Sequence, residues 1–288
     1  MIRLIALDVD GTLLDSHWQV PEANQRALLA ATALGVEVVL VTGRRFEFTR
    51  PVIDQLAGPL TLILNNGALV KTREGETLMR HVLPAAVARR LLAATTRFRE
   101  TTAVVFDREG ANQVIYERLE SSDPHRASYF ERNREFIGAV APLDASLVED
   151  PLQIMYTGSV DTMRDLLATL RELPFVDQFA IAVTEYEQSN FSLVDVTRRA
   201  CSKGTTLAAW AARRGVGREE ILAIGDNLND RDMLEYAGVP VVMGNAVPGL
   251  MRAGWHVTRS NDDAGVADAI NRFVLHTPAV TLSASLNL

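Results

Sequence analysis

Short apolar runs alternate with amphipathic helical patterns at both ends of the chain. The apolar runs have the length and β-branched content of buried strands, and they predict strands at Ile2–Leu7, Val36–Val41, Leu60–Leu64, Ile221–Ile224 and Val239–Val242. Between them, apolar positions recur at helical spacing, which predicts helices from Pro21 to Gly35, at Arg45–Leu56, at Lys203–Arg214 and at Leu228–Tyr236. This alternation predicts an α/β core, namely a Rossmann-like, doubly wound parallel sheet with helices on both faces.

The rhythm changes after Asn65-Asn66-Gly67. Ala68–Val70 and Thr77–His81 flank a polar turn and predict a hairpin, and the chain from Pro84 to about Asp195 mixes hairpin, strand and helix patterns. Such a mixture is typical of a separate unit inserted into an α/β domain. We therefore expect a core domain formed by residues 1–81 and 195–288, and an inserted α+β cap domain formed by residues 82–194.

Composition and charge narrow the classes of function. The 288-residue chain is 48% hydrophobic with a formal net charge of −7, and it shows no basic stripe, so we do not expect a nucleic-acid partner. No apolar stretch approaches the roughly 18 residues of a membrane span, and Asp8 and Asp10 interrupt the apolar N-terminus too early for a signal peptide, which favours a cytoplasmic protein. The single cysteine, Cys201, excludes an intrachain disulfide, and the five histidines lack the spacing of zinc ligands. The oligomeric state stays open.

Two carboxylates follow the first predicted strand, in Asp8-Val9-Asp10-Gly11-Thr12. Ligands of open α/β sheets bind at the carboxyl ends of the strands, and a carboxylate there can be a covalent nucleophile. Gly11 permits a sharp turn that would bring the side chain of Asp10 into the same cleft. An ordinary Asp-Gly turn after a strand explains this pattern equally well.

Three further patterns stand at strand ends or helix starts. Thr42-Gly43-Arg44 offers a hydroxyl and an open backbone N–H at a helix N-terminus, either as a phosphate seat or merely as a helix cap. Lys203 is the first residue of a predicted helix, where a positive charge is unfavourable for the helix dipole, so a nearby anion that compensates for it is one interpretation. A solvated lysine is the alternative. Gly225-Asp226 with Asn229-Asp230 follows another strand. Oxygen ligands without cysteine or histidine favour Mg²⁺ over zinc there, although an Asp or Asn helix cap is the plain alternative.

The four patterns occur in order along the chain, and together they resemble the four motifs of the haloacid dehalogenase superfamily. The first motif is similar to Asp8–Thr12, the second to Thr42, the third to Lys203 and the fourth to Gly225-Asp226 with Asn229-Asp230. The large insert after the third core strand resembles the α/β cap of the Cof-type branch. Asn66-Gly67-Ala68 and Met243-Gly244-Asn245-Ala246 are also similar to that branch.

The resemblance implies a Mg²⁺-dependent phosphatase that hydrolyses small phosphate monoesters, such as sugar phosphates or related metabolites, through an aspartyl-phosphate. In this mechanism Asp8 attacks phosphorus, and Asp10 protonates the leaving alcohol and then activates water. The resemblance assigns the phosphoryl group to Thr42, Gly43 and Lys203, and the metal to Asp8, the main-chain carbonyl of Asp10, and Asp226, with Asn229 and Asp230 orienting the surroundings of the metal.

Two other functions are alternatives. A phosphomutase of the phosphomannomutase type would use Asp8 in the same way but return the phosphoryl group to the sugar, and the sequence does not exclude it. The acid pair and the lysine argue against a non-catalytic phosphosugar-binding protein, because a binding protein has no need of a nucleophile beside a second acid. The predicted cap does not point to one substrate; Glu185, Tyr186 and Glu187, in a polar stretch between two predicted cap strands, are candidates for contact with the leaving group.

Overall fold

The computed structural model describes residues 1–120, 129–131 and 133–275, and these contain two β-sheets. Residues 276–288, at the end of the predicted second core segment, lie outside the described residues. The larger sheet has eight strands and the smaller one has six. Within the described part of the chain, no helix combines the length and the apolar character needed to cross a membrane.

The larger sheet is built around β1. Its strands are β1 Leu4–Leu7, β2 Glu37–Val41, β3 Thr61–Leu64, β4 Leu69–Thr72, β5 Thr77–Arg80, β12 Ile221–Gly225, β13 Val239–Val242 and β14 His256–Val257. They lie in the order β14-β13-β12-β1-β2-β3-β4-β5. All pairs from β14 to β3 are parallel, whereas β4 and β5 are antiparallel to their neighbours. The predicted doubly wound parallel core is confirmed, with an antiparallel hairpin added at one edge.

Helices cover both faces of this sheet. They are α1 Glu22–Ala33, α2 Phe46–Ile53, α5 Lys203–Arg214, α6 Arg231–Tyr236 and α7 Gly265–Ile270. Side chains alternate along β1, so that Ile5 and Leu7 join an apolar cluster with α1, α2 and α7, while Leu4 and Ala6 join another with α5 and α6. Because both faces of the central strands are buried, these strands appear in the sequence as continuous apolar runs.

The smaller sheet is formed by the inserted segment. Its strands are β6 Thr102–Val105, β7 Val114–Tyr116, β8 Ile137–Ala139, β9 Gln153–Gly158, β10 Phe179–Tyr186 and β11 Phe191–Arg198, in the order β10-β11-β9-β6-β7-β8. Helices α3 Ala85–Ala94 and α4 Val160–Arg171 join its strands in one apolar cluster that contains Tyr156 and Leu166. The insert therefore has its own sheet and its own core.

Two details of the cap differ from the sequence analysis. The strand β8 was not expected, because three residues with a central glycine carry too short a pattern to be recognised. The last cap strand, β11, continues to Arg198, beyond the expected boundary at residue 194. The division into segments 1–81, 82–194 and 195–288 stays a prediction.

Candidate active site

Three neighbouring strands bring the predicted catalytic segments to one edge of the core sheet. The central strand β1 pairs in parallel with β12 on one side and with β2 on the other. Asp8 follows β1, Thr42 follows β2 and Asp226 follows β12. Because the carboxyl ends of parallel strands meet at the same edge, the three side chains converge there, and all three are buried.

Lys203 enters the same region from the first residue of α5. Its Nζ lies 2.6 Å from Oδ1 of Asp8 and 2.6 Å from Oδ1 of Asp230, and its side chain is only 1% exposed. Burial alone favours the neutral amine, but the charges of Asp230 and Asp8 outweigh it and raise the pKa of Lys203. The cation that opposes the helix dipole is thus held by two carboxylates, and it is not a solvated surface lysine.

The carboxylates of Asp8, Asp226 and Asp230, here called the acidic cluster, carry more charge than one lysine offsets. One oxygen from each lies within 4.8 Å of the others. Burial, followed by the charge of Asp230, raises the pKa of Asp8 to about 7 although Lys203 acts against it. Burial and the charge of Asp8 likewise raise the pKa of Asp226 well above its ordinary value. Buried oxygen donors with an excess of negative charge fit a divalent cation such as Mg²⁺.

Asp230 orders the loop that follows β12. Its Oδ2 accepts hydrogen bonds from the backbone N–H groups of Asp226 and Asn227, each at 3.0 Å. Asp226 in turn accepts a hydrogen bond from the hydroxyl of Thr12 at 2.8 Å. A Cβ at Gly11, where φ is +79°, would lie 2.4 Å from Oδ2 of Asp226, so this position requires glycine. These contacts fix the carboxylate of Asp226 beside Asp8.

Asp10 is held by a residue to which the sequence assigned no separate role. Nε of Arg44 donates to Oδ2 of Asp10 at 2.8 Å, and Nη2 donates to Oδ1 at 2.5 Å. The guanidinium also lies 5.4 Å from the ring centroid of Trp18 and 4.7 Å from that of Phe48. A bidentate pair of this kind fixes the plane of the carboxylate. The pattern Thr42-Gly43-Arg44 contains this arginine, but nothing in the sequence shows that it reaches Asp10.

Thr42 and Gly43 lie at the end of β2, where a phosphate seat was expected. The hydroxyl of Thr42 accepts a hydrogen bond from the N–H of Arg44 at 3.2 Å. A Cβ at Gly43 would lie 3.2 Å from Nδ2 of Asn66, so the amide of Asn66 packs directly against this glycine. Asn66 therefore forms one wall of the seat, although the sequence analysis noted it only as part of a family-like tripeptide.

The three cap candidates, Glu185, Tyr186 and Glu187, lie at the end of β10 and just beyond it. The N–H of Glu185 donates to Oδ1 of Asn227 at 3.3 Å, and Nδ2 of Asn227 donates to the carbonyl of Glu185 at 3.0 Å. The two glutamates pair with Arg164 on α4. Tyr186 is partly buried, and its pKa is raised first by burial and then by the charges of Asp10 and the acidic cluster. The hydroxyl of Tyr186 therefore lies in the electric field of these aspartates.

Comparison with known proteins agrees with this geometry. Residues 5–270 match the family model of the haloacid dehalogenase-like hydrolases. The putative phosphatase YxeH of Bacillus subtilis is 28% identical over 288 residues, which cover 96% of this chain and 99% of the relative. The pyridoxal phosphate phosphatase YbhA of Escherichia coli is 28% identical over 251 residues, which cover 85% of this chain and 88% of the relative.

A solved haloacid dehalogenase-like hydrolase from B. subtilis has the same fold. It matches with a TM-score of 0.80 at 24% identity, over 95% of this chain and 100% of the other. The family and the enzyme class predicted from the motifs are both confirmed. The chain belongs to the haloacid dehalogenase-like hydrolases, as a phosphatase of their Cof-type branch.

Proposed function

We propose that the protein is a Mg²⁺-dependent phosphatase of small phosphate monoesters that works through an aspartyl-phosphate on Asp8. The observation that carries the proposal is the buried contact among Asp8, Lys203 and Asp230, three residues that are far apart in the sequence. A buried carboxylate beside a lysine, at the carboxyl end of a central strand, is suited to attack an electrophile whose charge the lysine balances.

The first chemical step is an in-line attack by Asp8. Lys203 holds Oδ1 of Asp8, which assigns the attack on phosphorus to Oδ2. As the new O–P bond forms, the ester O–P bond breaks, and the leaving oxygen takes a proton from the carboxyl group of Asp10. The hydroxyl of Thr42 and the N–H of Gly43 bind phosphoryl oxygens, while Lys203 balances their developing charge.

The second step returns Asp8 to its starting state. Asp10, now ionised, takes a proton from a water molecule that attacks the phosphorus of the aspartyl-phosphate, and orthophosphate leaves as the Asp8 carboxylate is released. Arg44 orients Asp10 through its two hydrogen bonds, and one of them must open before an oxygen of Asp10 can carry the proton that the leaving oxygen takes. The aromatic rings of Trp18 and Phe48 hold the arginine in turn.

The donor set fits Mg²⁺, which the family resemblance implies. Asp8, Asp226 and the main-chain carbonyl of Asp10 would hold the ion, because Asp230 already accepts hydrogen bonds on both of its oxygens. When bound, Mg²⁺ supplies positive charge that reduces the repulsion between the attacking carboxylate and the phosphate. Asn229 and Asp230 would orient the loop that presents Asp226.

The leaving group is the alcohol of a small phosphorylated metabolite, in keeping with relatives that include a pyridoxal phosphate phosphatase. The residues that contact phosphate and metal are shared by all such substrates, so discrimination falls to the cap, where Tyr186 is the first candidate.

Release of inorganic phosphate from a panel of sugar phosphates, nucleotides and pyridoxal phosphate, with and without Mg²⁺, tests the proposal. We expect Mg²⁺-dependent release that Asp8→Asn abolishes. Conversion of a sugar phosphate into its isomer without release of phosphate would instead establish a mutase. Binding of phosphosugars with no turnover of any kind would establish a binding protein.

A further inference from the structure

The cap contains a buried carboxylate that the proposed mechanism does not use. Asp195, on β11, is 4% exposed. Its Oδ2 accepts a hydrogen bond from Nδ2 of Asn66 in the core at 2.8 Å, and its Oδ1 accepts one from Nε2 of Gln153 on β9 at 2.8 Å. Burial raises the pKa of Asp195 to about 7, while the hydrogen bond from Asn66 favours the ionised form. Burying a carboxylate lowers the stability of the protein unless its hydrogen-bond partners compensate for the lost contact with water.

Asn66 connects Asp195 to the loop that follows β12. The residue lies in a left-handed turn after β3, with φ of +52°, and it is 2% exposed. Its Oδ1 accepts a hydrogen bond from Nδ2 of Asn229 at 3.1 Å. Asn229 stands between Asp226 and Asp230 in the loop that follows β12. One amide therefore connects a cap strand to the loop that presents the acidic cluster.

The same amide touches the phosphate seat. It packs against Gly43, where a Cβ would come within 3.2 Å of its Nδ2, and the backbone N–H of Asn66 donates to the carbonyl of Thr42 at 3.1 Å. The neighbouring Gly67 lies against the start of α5, because a Cβ there would be 2.3 Å from the carbonyl oxygen of Ser202. The turn is thus wedged between β2, α5 and the loop after β12, which carry the phosphate seat, Lys203 and the acidic cluster.

The charge of Asp195 decides which way the amides face. An ionised carboxylate only accepts hydrogen bonds, so Asn66 must turn its NH₂ group toward Asp195. The side-chain oxygen of Asn66 then faces Asn229, which must donate a hydrogen bond from its own NH₂ group. Loss of the carboxylate would remove the reason for this orientation at both asparagines.

We propose that Asp195 and Asn66 are positioning residues that couple the cap to the geometry of the phosphate seat and of Asn229. This inference rests on the proposed phosphatase function. When the cap contacts the core, the hydrogen bonds from Asp195 through Asn66 to Asn229 hold Gly43 and the loop after β12 in the arrangement that the transition state needs. Its loss therefore lowers kcat more than it raises KM.

The test is a double-mutant cycle in the full-length protein at about pH 8, above the pKa of Asp195. Asp195→Leu keeps a similar volume but removes both acceptor oxygens, so the NH₂ group of Asn66 loses its partner, and Asn229→Leu removes the other end of the chain. Each change is expected to lower kcat about tenfold, the scale of one buried hydrogen bond. If Asn66 links the two residues, the double variant also falls about tenfold, whereas independent effects would multiply to about a hundredfold.

Gln153→Met is the matched control, because it removes the other hydrogen bond to Asp195 without touching Asn66. We expect this variant to melt at a lower temperature and to keep the kcat of the wild type. If Asp195→Leu does not fold, Asn66→Gly replaces it in the cycle, since glycine tolerates the left-handed turn and removes the amide.

Two results would overturn the proposed coupling: an unchanged kcat in folded Asp195→Leu, or effects of Asp195→Leu and Asn229→Leu that multiply. Either result is distinct from failure of the proposed function, which would appear as absence of Mg²⁺-dependent phosphate release by the wild-type protein.

Discussion

Replacement of Lys203 by methionine tests the electrostatic part of the proposed mechanism. The Nζ atom lies 2.6 Å from carboxylate oxygens of Asp8 and Asp230, and all three side chains are almost completely buried. At this distance, with an effective dielectric constant of about 20, each pair attracts by about 6 kcal/mol before the cost of burying the charges is subtracted. That cost is several kcal/mol per ion. Removal of one partner leaves the other charge buried without compensation, which destabilises such a site by about 3–5 kcal/mol.

The effect on catalysis follows from the same contacts. The loss of one preorganised stabilising group lowers kcat/KM by an amount equivalent to about 2–4 kcal/mol, or roughly 30- to 900-fold. Lys203 also lowers the pKa of Asp8. Without it, the nucleophile is protonated up to a higher pH, so part of the lost activity of Lys203→Met should return as the pH rises.

The assay is phosphate release at saturating Mg²⁺ across a range of pH, with a thermal melt to verify folding. Lys71→Met is the matched control, because Lys71 is the only other lysine in the sequence and its Nζ pairs with Asp107 at 3.1 Å, outside the acidic cluster. We expect this control to keep a kcat/KM close to that of the wild type. A folded Lys203→Met variant with unchanged kcat/KM would refute the reasoning and leave the lysine with a purely structural role.

Four other predictions concern the nucleophile, the metal, the competition between protons and metal, and the cap. Asp8→Asn should lose hydrolysis by several orders of magnitude; near wild-type turnover would exclude the covalent mechanism. The variant should melt no lower than the wild type, because Asp230 still balances Lys203 while the excess negative charge of the acidic cluster falls. Chelation should abolish activity and Mg²⁺ should restore it, whereas Ca²⁺ should inhibit. The Asp226→Ala variant should need Mg²⁺ beyond practical concentrations. Full activity in excess chelator would contradict the proposed dependence on Mg²⁺. The pKa of Asp8 is raised to about 7, so the contribution of Asp8 to the stability of the metal-free protein is greatest near pH 3.8 and below, and it is lost as Asp8 ionises toward pH 7. Mg²⁺ should therefore raise the melting temperature more at pH 8 than at pH 6. Equal shifts would show that protons and metal do not compete. Exchange of residues 82–194 for the cap of a relative with another substrate preference should transfer that preference and keep the dependence on Mg²⁺; a folded chimera with the original ranking would place specificity in the core.

The sequence by itself located the segments that we predict to be catalytic. Asp8, Thr42 and Asp226 each follow an apolar run, and a buried parallel strand leaves just such a run because both of its faces lie in the core. Once the runs are recognised as neighbouring strands of one sheet, their carboxyl ends must meet, and the residues that follow them must converge. Lys203 was a candidate because a cation at the start of a helix is unfavourable unless an anion compensates for it, and only the structure excluded a solvated lysine.

Only the tertiary structure decided which side chains hold these residues in place. Arg44 reaches Asp10 across 34 positions of sequence, and Asn66 reaches Asp195 across 129. Such pairs depend on side-chain rotamers and on how the cap packs against the core, and no local periodicity records either of them. Backbone position follows from short-range pattern and burial, whereas the partners of buried polar groups are selected by contacts that exist only after the chain has folded.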